Sequence, residues 1–456
     1  MFVLTALASV IAILYAASSK GRAAGLCAAW GAVFLCPAWM ERKFGAFLLT
    51  PRLIAVSVAI GLLFVVVDRW RLNKKIIFLD FFVISITLVE LTSMYYSGEL
   101  TVTLLAQSVA SWCVPYLFGR LIATSDVAKD NSEVLRIAVI VVCALAAWGV
   151  IEAVIGINPV NTLLGRADYG ASYRWGLRRA EGPLQHPIHF GNMMLMLFPW
   201  TLEAARRGFN AQGPSWWRLA PIIGFLGVFS SLSRGPILGL FMVVCVVVYL
   251  RLPRFRLVLV NTAIIGAAFL VLNFSGAVDT LQSSSGEKQE WGAYMVSIDG
   301  NEYEYDGTNH RLLQFLVFRG AIEDAGLFGF GTWGIKPKHI AYIEPSLRAK
   351  FWSIDNHYIL MTLRSGYLGL GLFIALGLTA LSYSLRLGLY GDVDGWLASG
   401  MCGALLASMI LLWSVWFAPD FAFVWLTSVG LVGGWWAKAT SVSTISNPSN
   451  SVATAN

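Results

Sequence analysis

Long apolar stretches separated by shorter polar connections make up most of the chain. A bilayer core about 30 Å thick is spanned by roughly 20 apolar helical residues. Transmembrane barrels show ten-residue alternation instead, so the pattern favours helices. The predicted spans are 2–17, 24–40, 53–67, 76–92, 101–122, 136–155, 186–204, 218–232, 236–251, 257–273, 358–382, 397–417 and 421–437. The composition agrees, because 57% hydrophobic and 13% charged residues leave too few polar side chains to cover a water-soluble chain of 456 residues. We therefore predict an all-α polytopic membrane protein with about 12–14 transmembrane helices.

Polar interruptions divide this helical pattern into six segments. They are N-terminal transmembrane helices over 1–155, an arginine-rich loop over 156–185, helices over 186–273, a long loop with surface helices over 274–357, C-terminal helices over 358–438 and a tail over 439–456. The tail is rich in Ser, Thr and Asn and is predicted to be disordered.

Basic residues in short loops indicate which side of the membrane each loop occupies, since such loops are retained in the cytoplasm. Four clusters fall in alternate loops: Lys20 with Arg22; Arg69, Arg71, Lys74 and Lys75; Arg206, Arg207 and Arg218; and Arg251, Arg254 and Arg256. The same parity places the loop 156–185, the turn 233–235 and the loop 274–357 on the external face.

Arginines in these external connections are the first candidates for chemistry. Arg234 lies in a tight turn between two apolar helices, where it either snorkels to the headgroups or clamps a phosphate with its planar fork. Arg178, Arg179 and His186 precede another helix, where donors could converge on an anion or form a plain loop.

The long loop carries Arg311 and Arg319 on a predicted helix with an apolar face, followed by a glycine-rich run. The run lacks the strand context of a nucleotide fingerprint. Tryptophans at positions 291, 333 and 352 suit either a membrane interface or a sugar-stacking platform.

The long loop ends in Asp355-Asn356-His357-Tyr358 as a helix begins. Asp355 is either the N-cap of that helix or a catalytic carboxylate. His357 shares a helical face with Arg364 and is a second candidate base.

Other ionisable or metal-binding residues give weaker signals. Asp80, Glu90 and Glu152 lie within spans and must face the interior, yet the sequence shows no partner for them. The six cysteines lie in apolar spans without a Cys-x-x-Cys, so no metal site and no cofactor are indicated.

Four motifs in order resemble the bacterial O-antigen ligase and O-antigen polymerase superfamily over about residues 175–385. They are Arg179-x-x-Gly182 with His186-Pro187 beyond; Ser233-Arg234-Gly235; Arg311 with the Gly329-x-Gly331 run; and Asp355-Asn356-x-Tyr358 with Gly366 and Gly369 downstream.

This resemblance implies a metal-independent glycosyltransferase at the outer face of the bacterial inner membrane, with an undecaprenyl-pyrophosphate-linked oligosaccharide as donor and a glycan as acceptor. Arginines matching Arg179, Arg234 and Arg311 would hold the pyrophosphate, and the residue before Asn356 would act near the acceptor hydroxyl. Ligases of this family carry His at that position. Because this chain has Asp355 there, the resemblance favours a polysaccharide polymerase, with membrane lipid and a chain-length regulator as further partners and no nucleic acid.

Two alternatives stay open. The first is an O-antigen ligase that transfers the lipid-linked glycan to lipid A-core or another acceptor. The second, of another class, is a polytopic transporter or a flippase for lipid-linked glycans. Transporters tend to show internal repeats, and the sequence shows no such duplication.

Overall fold

The computed structural model describes most of the helical regions and part of the long loop. The described residues are 2–37, 39–40, 42–44, 47–66, 76–124, 131–166, 171–184, 186–258, 261, 294–298, 300–305, 310–333, 341–345, 347–348, 350–351, 353–390 and 395–445.

The described chain is predominantly α-helical with very few strands, and the predicted fold class is confirmed. The helices are α1 (Phe2–Ser19), α2 (Arg22–Leu35), α3 (Pro51–Val66), α4 (Phe78–Tyr96), α5 (Val102–Thr124), α6 (Asn131–Ile155), α7 (Pro159–Leu163), α8 (Pro187–Phe209), α9 (Ala220–Ser230), α10 (Arg234–Arg251), α11 (His310–Val317), α12 (Arg319–Asp324), α13 (His357–Tyr390), α14 (Gly395–Leu411) and α15 (Pro419–Ile445). Twelve of the thirteen predicted spans coincide with one of these helices, and most of 257–273 lies outside the described residues. Six of the described helices are long and apolar enough to cross a membrane.

Several predicted boundaries differ from the structure: α2 ends at Leu35 rather than at residue 40, and α13 continues to Tyr390 rather than ending at residue 382. The span 397–417 is too long, because α14 ends at Leu411 and residues 412–418 form an irregular connection before Pro419. The Leu412 carbonyl leaves the helix and accepts a hydrogen bond from the His357 backbone at 2.9 Å. At the other limit, α15 continues to Ile445, so it includes the first part of the segment predicted to be disordered. Residues 446–456 lie outside the described part.

The described residues also form three short antiparallel hairpins, none of which was predicted. They are β1 (Arg42–Phe44) with β2 (Phe47–Leu49), β3 (Tyr173–Arg174) with β4 (Leu177–Arg178), and β5 (Tyr294–Ile298) with β6 (Asn301–Tyr305). The third pairs Ile298 with Asn301 across the sequence Asp299-Gly300, the dipeptide that favours a tight hairpin turn.

Glycines allow α5 and α15 to pack closely along their length. A Cβ at Gly119 would clash with the Thr427 carbonyl oxygen, and one at Gly430 would clash with the Tyr116 carbonyl oxygen. Small residues at such contacts are typical of membrane helices, whose association depends on close packing.

The three intramembrane acids all have partners, which the sequence did not reveal. Asp80 forms an ion pair with Arg120 at 3.0 Å, and Glu152 forms one with Arg178 at 3.2 Å. Glu90 accepts hydrogen bonds from Ser108 Oγ and Trp112 Nε1, each at 2.7 Å. These contacts satisfy charges that would be costly in lipid. Two ion pairs and a pair of hydrogen bonds therefore explain why all three acids face the interior.

Helix α13 is broken at Gly366, where φ is +67° and ψ is −171°. In an unbroken helix the Tyr367 and Leu368 amides would bond to the Leu363 and Arg364 carbonyls. Here they donate instead to the carbonyls of Gly326 and Leu327, at 3.0 and 3.2 Å.

The same glycine-rich segment also satisfies the carbonyls that the break leaves free. The Phe330 amide donates to the Leu363 carbonyl at 2.8 Å, and the Gly331 amide donates to the Arg364 carbonyl at 3.1 Å. Non-helical backbone within a membrane protein requires such replacement partners. The segment 326–331 is therefore joined to α13 through main-chain hydrogen bonds.

The helix ends that carry the sequence motifs lie together at one end of the bundle, named here the site end. It comprises the C-terminal ends of α4, α6, α9 and α14 and the N-terminal ends of α5, α8, α10, α13 and α15. Ser93 near the end of α4 ties this end together, since its hydroxyl accepts from the Gly331 amide at 2.9 Å and donates to the Arg364 carbonyl at 2.6 Å.

A glycine substitution tests this docking. Gly329 has φ +71°, and a Cβ there would lie 2.6 Å from the Gly366 backbone nitrogen. Gly329→Ala should therefore combine left-handed backbone strain of about 1–3 kcal/mol with a steric clash that separates the two segments. The expected result is faster proteolysis of the long loop and a lower melting temperature in a detergent thermal-shift assay.

Gly326→Ala is the matched control, because Gly326 has φ +58° but open space where its Cβ would lie. It carries the strain without the clash. Equal loss of stability in the two variants would contradict the docking role of Gly329.

Candidate active site

The loop before α8 lies over the turn between α9 and α10. The Arg179 guanidinium donates to Ser233 Oγ at 3.0 Å, and the Ala180 amide donates to the Ser230 carbonyl at 3.0 Å. Arg174 adds a hydrogen bond to the Leu232 carbonyl at 2.7 Å. These contacts bring two of the predicted arginine motifs together.

The N-terminal ends of α8 and α10 also meet at this place. A Cβ at Gly191 in α8 would lie 2.6 Å from Ser231 Oγ and 2.7 Å from the Pro236 side chain at the start of α10. Neither N-cap residue, His186 nor Ser233, makes a side-chain capping hydrogen bond. Two positive helix ends therefore lie side by side with amides available to an anion.

The candidate arginines differ in what surrounds them. Arg234 is exposed at the first position of α10 and, within the described part of the chain, forms no ion pair. Arg311 lies half-buried in the first turn of α11. Arg319 is exposed and paired with Glu323 at 2.9 Å, one helical turn away. Arg234 and Arg311 are thus better placed than Arg319 to bind an anionic group.

Arg178, unlike Arg234 and Arg311, lies in the interior and is paired with an acid of α6. Its side chain is 1% exposed and contacts Glu152, which also accepts a hydrogen bond from the Gly182 amide at 2.9 Å. Removing one member of a buried ion pair leaves an uncompensated charge. Arg178 therefore holds the loop on α6 and orients its neighbour Arg179.

The cap of α13 is Asn356 and not Asp355. Asn356 Oδ1 accepts hydrogen bonds from the Tyr358 amide at 2.9 Å and from the Ile359 amide at 3.2 Å, and the residue is fully buried. Asp355 Oδ1 accepts instead from Ser353 Oγ at 3.3 Å, and its side chain is half-buried. The Asp355 carboxylate is therefore not occupied by capping. Tyr358 packs inward, where its hydroxyl donates to the Met409 carbonyl at 2.5 Å.

Two histidines lie within electrostatic reach of Asp355. Partial desolvation by the surrounding protein and the Arg179 guanidinium lower the pKa of His186, and Asp355 opposes that shift. Partial burial likewise lowers the pKa of His310, with Asp355 opposing it and Arg311 adding to it. Burial therefore favours the neutral form of both imidazoles. The Asp355 carboxylate thus connects the α8 and α11 motifs electrostatically.

His310 is a residue that the sequence analysis did not select as a candidate. Its ring stacks on Phe351 at 5.0 Å, with Tyr305 edge-on at 5.4 Å. Gln314, one turn later in α11, donates to the Ser353 carbonyl at 3.3 Å. These contacts fix α11 beside the segment that carries Asp355. The only sign of its role in the sequence is its position next to the candidate Arg311.

His357, the second candidate base, lies in an aromatic environment. It is 6% exposed, and its ring centroid is 4.9 Å from those of both Phe373 and Phe417. Neither ring nitrogen has a hydrogen-bond partner among the described residues. The structure therefore gives Asp355 the more accessible position of the two candidates.

Residues 219–374 match the family model described as O-antigen ligase. The match covers the Ser233-Arg234-Gly235 turn, Arg311, the glycine-rich segment and the start of α13, and it supports the O-antigen ligase and polymerase superfamily indicated by the motif order. No curated relative matches the chain in sequence.

Substitutions at adjacent positions separate capping from chemistry. Asn356→Ala removes the cap of α13 and should lower the free energy of unfolding by about 0.5–2 kcal/mol. Asp355→Asn removes no capping bond and should leave the melting temperature unchanged, while reducing glycan transfer about 10²–10⁴-fold if the carboxylate accepts a proton. Thermal denaturation and a transfer assay on both purified variants provide the measurements. A destabilised Asp355→Asn protein beside a stable Asn356→Ala protein would reverse the assignment.

Proposed function

We propose that this protein is a glycosyltransferase of the O-antigen polymerase type, which extends a glycan with an oligosaccharide delivered on undecaprenyl pyrophosphate. The observation that carries the proposal is the contact of Arg179 with Ser233, which brings Arg179 and Arg234 to the adjoining starts of α8 and α10. The family match over 219–374 supports the same class of reaction.

A pyrophosphate fits this arrangement electrostatically. Guanidinium groups donate hydrogen bonds in a planar fork that matches phosphate oxygens, and helix N-termini add aligned amides. Arg311 supplies a further positive charge, since it follows His310, which is within electrostatic reach of Asp355. Such groups stabilise the charge that develops on the leaving pyrophosphate without reorganising during the reaction.

The reaction is a single displacement at the anomeric carbon of the donor sugar. The acceptor hydroxyl oxygen attacks that carbon, and the bond between the carbon and the pyrophosphate oxygen breaks. The bonding electron pair leaves on undecaprenyl pyrophosphate beside Arg179 and Arg234. The hydroxyl proton passes to the Asp355 carboxylate, and the configuration at the anomeric carbon is inverted. The site residues need no metal or cofactor for these steps.

A second candidate function is ligation of the glycan to lipid A-core, since the matched family model is described as a ligase. The donor chemistry is the same in both cases. Asp355, at the position where ligases of this family carry His, favours the polymerase. The two functions differ in the acceptor that receives the glycan.

The site end faces the periplasm in this proposal, at the surface of the inner membrane. The basic residues Arg206, Arg207 and Arg251 lie at the opposite end of the bundle, as expected for the cytoplasmic side. The long loop then acts as a cover that limits hydrolysis of the donor.

Arginine substitutions test the anion site. Arg234→Ala and Arg311→Ala should each reduce transfer by about ten- to a hundredfold, because each removes a charge-assisted contact of roughly 1.5–3 kcal/mol. Lysine should restore little at position 234, since it lacks the bidentate fork. The measurement is transfer by purified variants that retain the wild-type melting temperature.

Arg319→Ala is the control, because Arg319 is exposed and paired within its own helix. Wild-type rates in the Arg234→Lys and Arg311→Ala variants would count against the anion site.

Membrane topology provides an independent test. Single cysteines introduced at 172, 300 and 345 should react with a membrane-impermeant maleimide in intact spheroplasts, and those at 72 and 253 should react only after lysis. A protected cysteine at 300 would contradict the proposal, since the donor is external.

A further inference from the structure

The connection between α14 and α15 touches three of the segments that form the site. The Leu412 carbonyl accepts from the His357 amide at the start of α13, at 2.9 Å. The Trp413 ring stacks on Phe315 of α11 with centroids 4.8 Å apart, and the Trp416 ring meets His189 of α8 edge-on at 5.5 Å. This connection lies beyond the residues matched by the family model.

Both tryptophan side chains are partly exposed to solvent. Trp413 is 46% exposed and Trp416 is 37% exposed. Because Trp413 covers Phe315 with one face in a nearly parallel stack, its exposed area belongs to the remainder of the ring. The site end thus presents two flat aromatic surfaces beside its polar groups.

Phe417, which directly follows Trp416, anchors the connection between α14 and α15. Phe417 packs into the aromatic core, with its centroid 4.9 Å from His357, 5.7 Å from Phe373 and 5.5 Å from Trp425. The Ser414 and Ala418 amides close two backbone turns at 2.8 and 2.9 Å. A preorganised surface loses little conformational entropy when it binds a ligand.

We propose that Trp413 and Trp416 form a sugar-stacking subsite that holds the acceptor glycan. The apolar face of a pyranose ring packs on an indole, which offers a large rigid surface. Trp416 contacts His189, whose ring is 4.8 Å from that of His186, and His186 is within electrostatic reach of Asp355. A glycan lying on these rings would reach Asp355 with its terminal hydroxyl.

We assign the subsite to the acceptor because the pyrophosphate of the donor binds to other residues. Arg179 and Arg234 lie at the adjoining starts of α8 and α10, where the pyrophosphate binds in the proposed function, on which this inference rests. Phe315 and Trp413 lie instead on the α11 side, with His310 in the same short helix. The acceptor must approach the carboxylate that takes its proton. Trp413 lies beside the helix that begins with His310, which is within electrostatic reach of Asp355, and Trp416 extends the same aromatic surface toward His189 of α8.

Interfacial tryptophans also occur at helix ends in contact with lipid headgroups. Here one side of each indole packs on the protein: Trp416 on His189, which is 6% exposed, and Trp413 on Phe315, in a helix of the long loop. That packing favours a glycan over lipid as the occupant. Lipid contact is the outcome that would overturn the proposal.

The kinetic experiment uses full-length protein in nanodiscs, with lipid-linked glycan extracted from the host membrane as donor. The acceptor is the water-soluble oligosaccharide released from that glycan by mild acid. Trp413→Ala and Trp416→Ala should raise the KM for this acceptor about tenfold or more while changing kcat little. Trp413→Phe should retain part of the affinity because it keeps a flat ring. An acceptor KM within about twofold of wild type in both alanine variants would overturn the subsite.

Trp216→Ala is the matched control, because Trp216 is 42% exposed but lies before α9, at the opposite end of the bundle. It should leave the acceptor KM unchanged. Equal increases in all three variants would mean that loss of any exposed indole perturbs the protein, and would also overturn the subsite.

Fluorine NMR on protein labelled with 5-fluorotryptophan tests binding without turnover. The resonances of Trp413 and Trp416, assigned by Phe substitution, should shift when the soluble oligosaccharide is added, and the Trp216 resonance should not. Broadening by spin-labelled lipid with no response to oligosaccharide would identify lipid contact. Shifts in a protein that transfers no glycan would support the subsite and contradict the proposed function. Normal transfer without these shifts would support the proposed function and contradict the subsite.

Discussion

Main-chain hydrogen bonds between the segment 326–331 and the break in α13 at Gly366 hold the described part of the long loop on the helices. The break removes two helical hydrogen bonds, and the loop provides a replacement for each of the four backbone groups that it frees. The amides and carbonyls that the break leaves without helical partners therefore form hydrogen bonds with the segment 326–331. Left-handed backbone at Gly329 and Gly366, together with the absence of a Cβ at both, makes the contact sterically feasible. Because α11 and α12 directly precede this segment, its hydrogen bonds to α13 help to position α11 and therefore Arg311.

The site is assembled at helix ends because that is where a membrane protein can present polar groups to water. The starts of α8 and α10 offer unpaired amides, and the turn 231–233 brings Arg234 to the same place. Arg178 and Glu152 neutralise each other below this surface, so the neighbouring Arg179 is left as the guanidinium directed at Ser233. Buried charges therefore position the groups, and the exposed or half-buried charges are those available to a substrate.

Hydrophobic length alone predicted the helices, since the need to span a bilayer fixes the size of each apolar stretch. The order of four motifs also indicated the superfamily that residues 219–374 match. The sequence did not distinguish the cap from the candidate base, because Asp355 and Asn356 are equally good caps and only the backbone geometry selects between them. Contacts between distant segments were likewise inaccessible. Trp413 and Trp416 lie in a predicted helix that in fact ends at Leu411, so their approach to α8 and α11 had no local signal.

In the proposed function, one anion site, formed by Arg179, Arg234 and the starts of α8 and α10, receives the donor pyrophosphate. Electron cryomicroscopy of the protein in nanodiscs with added undecaprenyl pyrophosphate would locate that group. We expect phosphate density within hydrogen-bonding distance of the Arg179 and Arg234 guanidiniums and of the first amides of α10. Well-defined pyrophosphate density elsewhere, with these groups left in water, would rule out this site.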